Sequence, residues 1–207
     1  MERTAIKELQ EWKAKAYRKP LIVEGARQVG KTWLVKEFAR RNYRQLAYVN
    51  FEEMKILRNL FEQDFDIPRI LTAIGAGTGV TCSEGDTLIF LDEIQAAPHA
   101  VTSLKYFAEN APDYHVIAAG SLLGIELHRG ESFPVGKVDF LTLHPMSFVE
   151  FVMAMGEENL SEVLMAGDWN MMAMLSPKFQ ELLRYYYFVG GMPEAVLSFS
   201  RNRDWKE

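Results

Sequence analysis

A lysine and a hydroxyl residue stand side by side at Lys31 and Thr32, directly after a glycine, in the run Gly25-Ala26-Arg27-Gln28-Val29-Gly30-Lys31-Thr32. The run fits G-x-x-x-x-G-K-[ST] and lies between the apolar segment PLIV and the helical pattern KTWLVKEFARR. Glycine has no Cβ, so the chain can curl and turn successive N–H groups inward around an anion. A helix starting at the second glycine adds the positive end of its dipole and its unpaired amides to the same place. Lys31 can then reach the β- and γ-phosphates of a nucleotide, and the Thr32 hydroxyl can bind Mg²⁺. The competing reading is a chance turn ahead of a helix, which average residue frequencies put under roughly one per cent for a chain of this length. The eight residues are therefore expected to hold a triphosphate. Trp33 is counted with them as the loop's neighbour, although helix packing is its blander use.

The second chemical signal is the acidic pair in TLIFLDEIQ. A continuous apolar run reads as a strand buried on both faces, and it ends in Asp92, where strand C-termini meet the phosphate loop of an open α/β sheet. An aspartate there holds Mg²⁺ through a water. Glu93 beside it can orient and polarise a water in line with the γ-phosphate, which a mere nucleotide carrier would not need; otherwise it caps the next turn. No N/T-K-x-D tetrapeptide occurs, and Asp92 is followed by Glu-Ile-Gln rather than by an Asp-x-x-Gly pattern. ATP is thus expected over GTP, with no residue assigned to reading adenine. Small-molecule kinases rarely place a glutamate beside the magnesium acid, so hydrolysis is favoured over transfer.

Three weaker candidates complete the set. Ser121 ends the apolar run YHVIAAGS, a strand expected between the acidic strand and the phosphate-loop strand. It either touches the γ-phosphate or the attacking water, or caps the helix LLGIELHR. Hydrolysis also needs a cation for the transition state, and Arg129, Lys137 and Arg27 are available, each also readable as a solvated surface charge. Gln95 could report on the γ-phosphate. His99, His115, His128 and His144 show no ligand spacing, so no metal beyond nucleotide-bound Mg²⁺ is expected. Met165, Met171, Met172 and Met174 read as helical core or partner contact, and the run Tyr185 to Phe188 as packing.

These residues need a scaffold, and the pattern supplies one. MERTAIKELQEWKAKAY carries Ile6, Leu9 and Trp12 at helical spacing. PLIVEG, QLAYVNFEE, TLIFLDEIQ, YHVIAAGS and KVDFLTL read as strands, alternating with helices in KTWLVKEFARR, MKILRNLFEQ, PRILTAIGAG and PHAVTSLKYFAENAP. GAGTGVTCSEG reads as a surface loop. Alternation of this kind implies crossover connections and a parallel sheet, an α/β fold. From about Pro145 onward the pattern is helix after helix.

The 207 residues leave room for one α/β domain and part of another. With 48% apolar and 25% charged residues a packed core is expected. The net charge of −5 argues against a general nucleic-acid surface. A single cysteine, Cys82, excludes an internal disulfide and suits a reducing cytoplasm. Neither a signal core nor a run long enough to span a bilayer is present; the chain is expected to be cytoplasmic.

The segments RKPLIVEGARQVGKTWLVKEFA, YVNFEE, TLIFLDEIQAAP, AAGSLLG, SFPVGKV, LHPMSFVEF and GGMPEAV, in this order, resemble a prokaryotic family of AAA-type ATP-binding proteins that pair an ATPase core with a C-terminal domain of unknown function. The resemblance covers nearly the whole chain. It implies a P-loop NTPase fold of the ASCE type with strand order near 5-1-4-3-2. It also implies Gly25 to Thr32 as nucleotide loop, Asp92 as magnesium acid, Glu93 as catalytic base, Ser121 as the polar residue ending the fourth strand, and GGMPEAV as the start of a helical lid. Domains are expected at 1–145, the ATPase core, and 146–207, the lid or start of the C-terminal region. Members are longer, so the chain is expected to be an N-terminal part. Three functions follow: a Mg²⁺-dependent ATPase, a slow ATP-operated switch acting through a protein partner or a homo-oligomer, and, less favoured by the charge, a nucleic-acid-linked ATPase.

Overall fold

The computed structural model describes residues 2–62, 64–121 and 133–202. The chain divides into two compact units, one made of Ala5–Arg27 and Lys31–Leu143, the other of Met1–Thr4, Gln28–Gly30 and His144–Glu207.

In the larger unit, helix α1 (Ala5–Ala14) precedes strand β1 (Leu21–Gly25), and α2 (Lys31–Asn42) leads to β2 (Gln45–Asn50). Helices α3 (Lys55–Phe61) and α4 (Ile67–Thr78) then connect to β3 (Thr87–Asp92), α5 (Pro98–Asn110) to β4 (His115–Ser121), and β5 (Asp139–Leu143) ends the unit. The five strands form one sheet in the order β2-β3-β4-β1-β5. Every pairing is parallel. This is the expected order, with β4 between the acidic strand and the phosphate-loop strand. Crossover helices cover a parallel sheet on both faces, and Leu88, Ile89, Phe90 and Leu91 of β3 are accordingly sealed from solvent.

Register does the positioning. Gly25 stands beside Ser121 and Asn50 beside Asp92, so the polar ends of four strands line one edge of the sheet. Below that edge lies a core of Phe51, Phe61, Ile70, Ile74, Leu104 and Phe107 among others. The overlap of the two sequence readings is resolved toward the helix: Gly75 to Thr78 belong to α4, and the loop begins at Gly79, which closes the helix in the left-handed conformation at φ 72°. Glycine carries no side-chain penalty there, while Thr78 returns its hydroxyl to the Ile74 carbonyl at 2.7 Å. At the other end Asp66 caps the helix, accepting the Arg69 amide at 2.8 Å.

The smaller unit is helical among its described residues: α6 (Phe148–Ala154), α7 (Glu158–Ala166), α8 (Trp169–Met174), α9 (Ser176–Val189) and α10 (Pro193–Asn202). Ser147 and Glu150 form a capping box that starts α6. Two small apolar clusters hold the unit, one around Met146, Phe151, Val196 and Phe199, the other around Val152, Leu160, Phe179 and Leu182. Gly191 is fixed by close approach: a Cβ there would lie 2.4 Å from the Met146 carbonyl oxygen. The aromatic run splits. Tyr185 and Tyr186 pack on the first cluster, whereas Tyr187 and Phe188 are 77% and 70% exposed. Successive helical residues turn by about 100° and cannot share one face. The methionines divide similarly: Met172 packs inward, while Met165, Met171 and Met174 face solvent. No helix among the described residues is long and apolar enough to cross a membrane.

His115 opens β4 in a buried site. Its Nδ1 pairs with the Tyr43 hydroxyl at 2.7 Å, and its ring meets Trp12 edge-on. Burial, with Arg18 and Lys13 nearby, pushes its pKa down to about 4. The folded protein thus keeps this imidazole neutral where the unfolded chain, with a pKa near 6.5, takes up a proton. The site costs nothing above pH 6.5 and is progressively destabilising as pH falls toward 4. Urea titrations at pH 7 and pH 5 should show a loss of about 2 kcal/mol that is absent in His115→Gln; equal pH dependence in both proteins would contradict this assignment.

Candidate functional site

The turn from β1 into α2 carries the run Gly25 to Thr32. Gly30 sits at φ 91°, where a side chain would be strained, and Gln28 is left-handed at φ 65°. Helix α2 begins at Lys31 and has no acidic residue in its first turn, so no side chain competes for its positive end. The Lys31 ammonium donates to the carbonyls of Gly25 at 3.1 Å and Ala26 at 2.8 Å, folding back over the loop.

Strand β3 delivers Asp92 to the same place. The Thr32 hydroxyl donates to Asp92 Oδ2 at 2.8 Å across 60 residues of sequence. Burial raises the Asp92 pKa, against which three donors work: the Thr32 and Tyr48 hydroxyls and the Glu93 amide. Burial likewise lowers the Lys31 pKa, opposed by the nearby carboxylates of Glu93 and Asp92. A cation and two acids thus share one half-dry space, where each feels the others strongly.

Glu93 stands at φ 51°, a left-handed backbone that a non-glycine residue rarely adopts. Strain of this kind collects where a side chain must be aimed. It precedes the 3₁₀ turn Ile94–Ala96 but its side chain does not cap that turn, which removes the blander reading. Instead its Oε2 accepts the Gln95 side-chain amide.

The remaining candidates divide. Ser121 ends β4 in register with Gly25. Arg129 lies outside the described residues, as does the helix expected after Ser121. Lys137 pairs with Glu109 at 2.9 Å. Arg27 is exposed, and Trp33 keeps 44% of its surface in solvent, too much for a core residue. Among the described residues no group of three or more His, Cys, Asp or Glu side chains could hold a metal by itself.

Sequence reading passed over two residues, one in each unit. Tyr48, on β2, donates to Asp92 Oδ2 at 3.0 Å. Burial and the Asp92 charge push its pKa up to about 12, so it stays a donor at neutral pH. The alternation of β2 places Tyr48 and Asn50 on one face, a signal that was available. Arg3 had none. Its guanidinium is buried and donates to the Glu150 carboxylate at 3.1 Å, to the Val29 carbonyl within the phosphate loop at 2.8 Å and to the His144 carbonyl at 2.7 Å. Glu150 in turn accepts from Thr4 and Ser147. Burial would raise its pKa, but the Ser147 and Thr4 donors and the Arg3 charge outweigh it and hold it below the usual range.

Residues 17–152 match the AAA domain family. Among solved structures, a Walker-type ATPase of Pyrococcus abyssi superposes with a TM-score of 0.59 at 16% identity, covering 98% of this chain and 68% of that one. A chain of the Drosophila ORC bound to DNA superposes with a TM-score of 0.54 at 14% identity, covering 95% of this chain and 59% of that one. At these identities the likeness concerns the fold. No curated protein matches the sequence.

Replacing Arg3 by Ala leaves a buried carboxylate and two carbonyls short of a donor, and urea unfolding should show a loss of about 3 to 5 kcal/mol. Combining it with Glu150→Gln, which removes the uncompensated charge, should recover part of that loss. A single-variant loss under about 1 kcal/mol would contradict the role given to Arg3.

Proposed function

The chain belongs to the AAA domain family, and from that premise we propose that it is a Mg²⁺-dependent ATPase core, converting ATP and water to ADP and phosphate. The observation that carries this reading is the 2.8 Å hydrogen bond from Thr32 to Asp92. It joins the hydroxyl of a phosphate loop to the acid at the end of β3, with Lys31 and Glu93 close by. A hydroxyl that donates its hydrogen to a carboxylate keeps its lone pairs for a cation. The donor set of Thr32 and Asp92 is all oxygen, as a hard divalent ion prefers. Thr32 would hold Mg²⁺ directly and Asp92 through water; the ion, when bound, neutralises charge on the β- and γ-phosphate oxygens.

The chain's own groups supply the rest. The loop amides and the start of α2 bind the phosphates. Lys31 exchanges two neutral carbonyl partners for phosphate oxygens, a stronger charge-assisted bond. Glu93 accepts a proton from the attacking water while the water oxygen bonds to the γ-phosphorus and the bond to the β–γ bridging oxygen breaks, releasing ADP. Ser121, level with Gly25, would contact the γ-phosphate in this reading. Lys137 is engaged by Glu109, so the transition-state cation is assigned to Arg129 or to a neighbouring copy in a homo-oligomer. Residues 1–145 form the core in this reading and 146–207 a helical lid region. A cytoplasmic setting suits the lone cysteine.

One observation favours a slower variant of this reading. The Gln95 amide holds the Glu93 carboxylate, and a base so engaged turns over rarely. In that form the domain is an ATP-operated switch that signals through a protein partner.

Lys31→Ala should weaken ATP binding by about tenfold to a hundredfold, the worth of a charged hydrogen bond or two. Glu93→Gln should keep ATP affinity within a few-fold and slow phosphate release by about 10²–10⁴. Equilibrium binding and phosphate release read both. Parent-rate hydrolysis by Glu93→Gln would remove Glu93 as the base.

A further inference from the structure

Asp92 is 3% exposed and held in one orientation by its surroundings. Its Oδ2 receives both the Thr32 hydroxyl at 2.8 Å and the Tyr48 hydroxyl at 3.0 Å. Among the described residues its Oδ1 receives only the Glu93 amide, at 3.1 Å. An ionised carboxylate oxygen offers two lone-pair directions. Two donors fill Oδ2, whereas Oδ1 keeps one direction open. Which oxygen faces a ligand is thus decided by the pair Thr32 and Tyr48 together.

The Tyr48 ring is itself fixed. It lies against Phe90 with ring centroids 5.4 Å apart, on the neighbouring strand in register. The Lys36 ammonium stands 3.6 Å from the same ring's centroid. Lys36 is four residues past Thr32 on α2, one turn along the same helix face. The helix that carries the hydroxyl donor therefore also carries the cation that clamps the second donor's ring. Asn50 Nδ2, opposite Asp92 in the ladder, approaches the Tyr48 oxygen at 3.5 Å.

We propose that Tyr48 is the positioning residue of the cation site: it holds Asp92 so that Oδ1 is presented to the water shell of a nucleotide-bound divalent ion, with Lys36 bracing its ring. The inference rests on the reading of Thr32 and Asp92 given above. Loss of an outer partner of a metal-binding carboxylate typically costs 10- to 100-fold in metal affinity, and that is the effect expected here.

The test uses the whole chain with Mn²⁺ as the probe, its free concentration read by EPR in the presence of a saturating non-hydrolysable ATP analogue. Tyr48→Phe keeps the ring and the cation above it but removes the hydroxyl. It should raise the Mn²⁺ dissociation constant by about 10- to 100-fold while leaving nucleotide affinity measured in EDTA within about twofold. A merely structural tyrosine would shift both constants or neither. Lys36→Met, at an exposed position that does not endanger folding, should raise the Mn²⁺ constant by a smaller factor of about two to five, the worth of an exposed cation–π contact. Wild-type Mn²⁺ affinity in both variants would overturn the role of Tyr48. If the parent protein binds nucleotide but shows no nucleotide-dependent Mn²⁺ binding, the reading of Thr32 and Asp92 fails first and this inference with it.

Discussion

A single hydrogen bond, Thr32 Oγ1 to Asp92 Oδ2, ties the start of α2, the helix that follows β1, to the end of β3, with β4 between the two strands. It can form only if β1 and β3 run parallel and end at the same level. The sheet enforces both conditions: Gly25 aligns with Ser121 on β4, and β4 aligns with β3 so that Leu91 faces Ala118. The apolar length of β3 is thus more than core. It sets how far the chain travels before Asp92 emerges, and a shift of one residue would turn the carboxylate to the opposite face.

Burial makes the arrangement chemically useful and also demands compensation. Asp92 in a dry position would protonate, and a buried Lys31 would lose its proton, if each stood alone. The carboxylates of Glu93 and Asp92 oppose the loss at Lys31, while the hydroxyls of Thr32 and Tyr48 and the Glu93 amide oppose the protonation of Asp92. A preorganised cluster of this kind needs little rearrangement when charge develops on a substrate. Within the smaller unit Arg3 has the corresponding task for the Val29 carbonyl, and the capping-box carboxylate Glu150 satisfies it. Both clusters obey the rule that a buried charge persists where its partners are complete.

Much of this was legible in the residues, because the informative patterns are local. The loop from Gly25 to Thr32 is contiguous, β3 is one apolar run ending in two acids, and the parallel order follows from alternating periods. At the end of α4 the helical period and the glycine composition pointed different ways over Gly75 to Gly77; the period was right, and Gly79 ends the helix. Tyr48 and Arg3 were missed for a different reason. Their partners lie 44 and 26 or more residues away; the alternation of β2 put Tyr48 on one face with Asn50 without naming its partner, and for Arg3 there was no signal at all. The left-handed backbone of Glu93 was equally invisible, since glutamate gives no sign of positive φ. The split of the run Tyr185 to Phe188 follows from helical rotation once α9 is in place.

The central claim, that Thr32 and Asp92 form one site around the metal-bound phosphates of ATP, is tested most directly by a crystal structure with Mg²⁺ and a non-hydrolysable ATP analogue. The β- and γ-phosphates are expected inside the loop from Gly25 to Thr32, with the Lys31 ammonium moved onto phosphate oxygens and a cation bonded to Thr32 Oγ1 whose waters bond to Asp92. Nucleotide bound elsewhere, or phosphates in the loop with the cation turned away from Thr32 and Asp92, would contradict it.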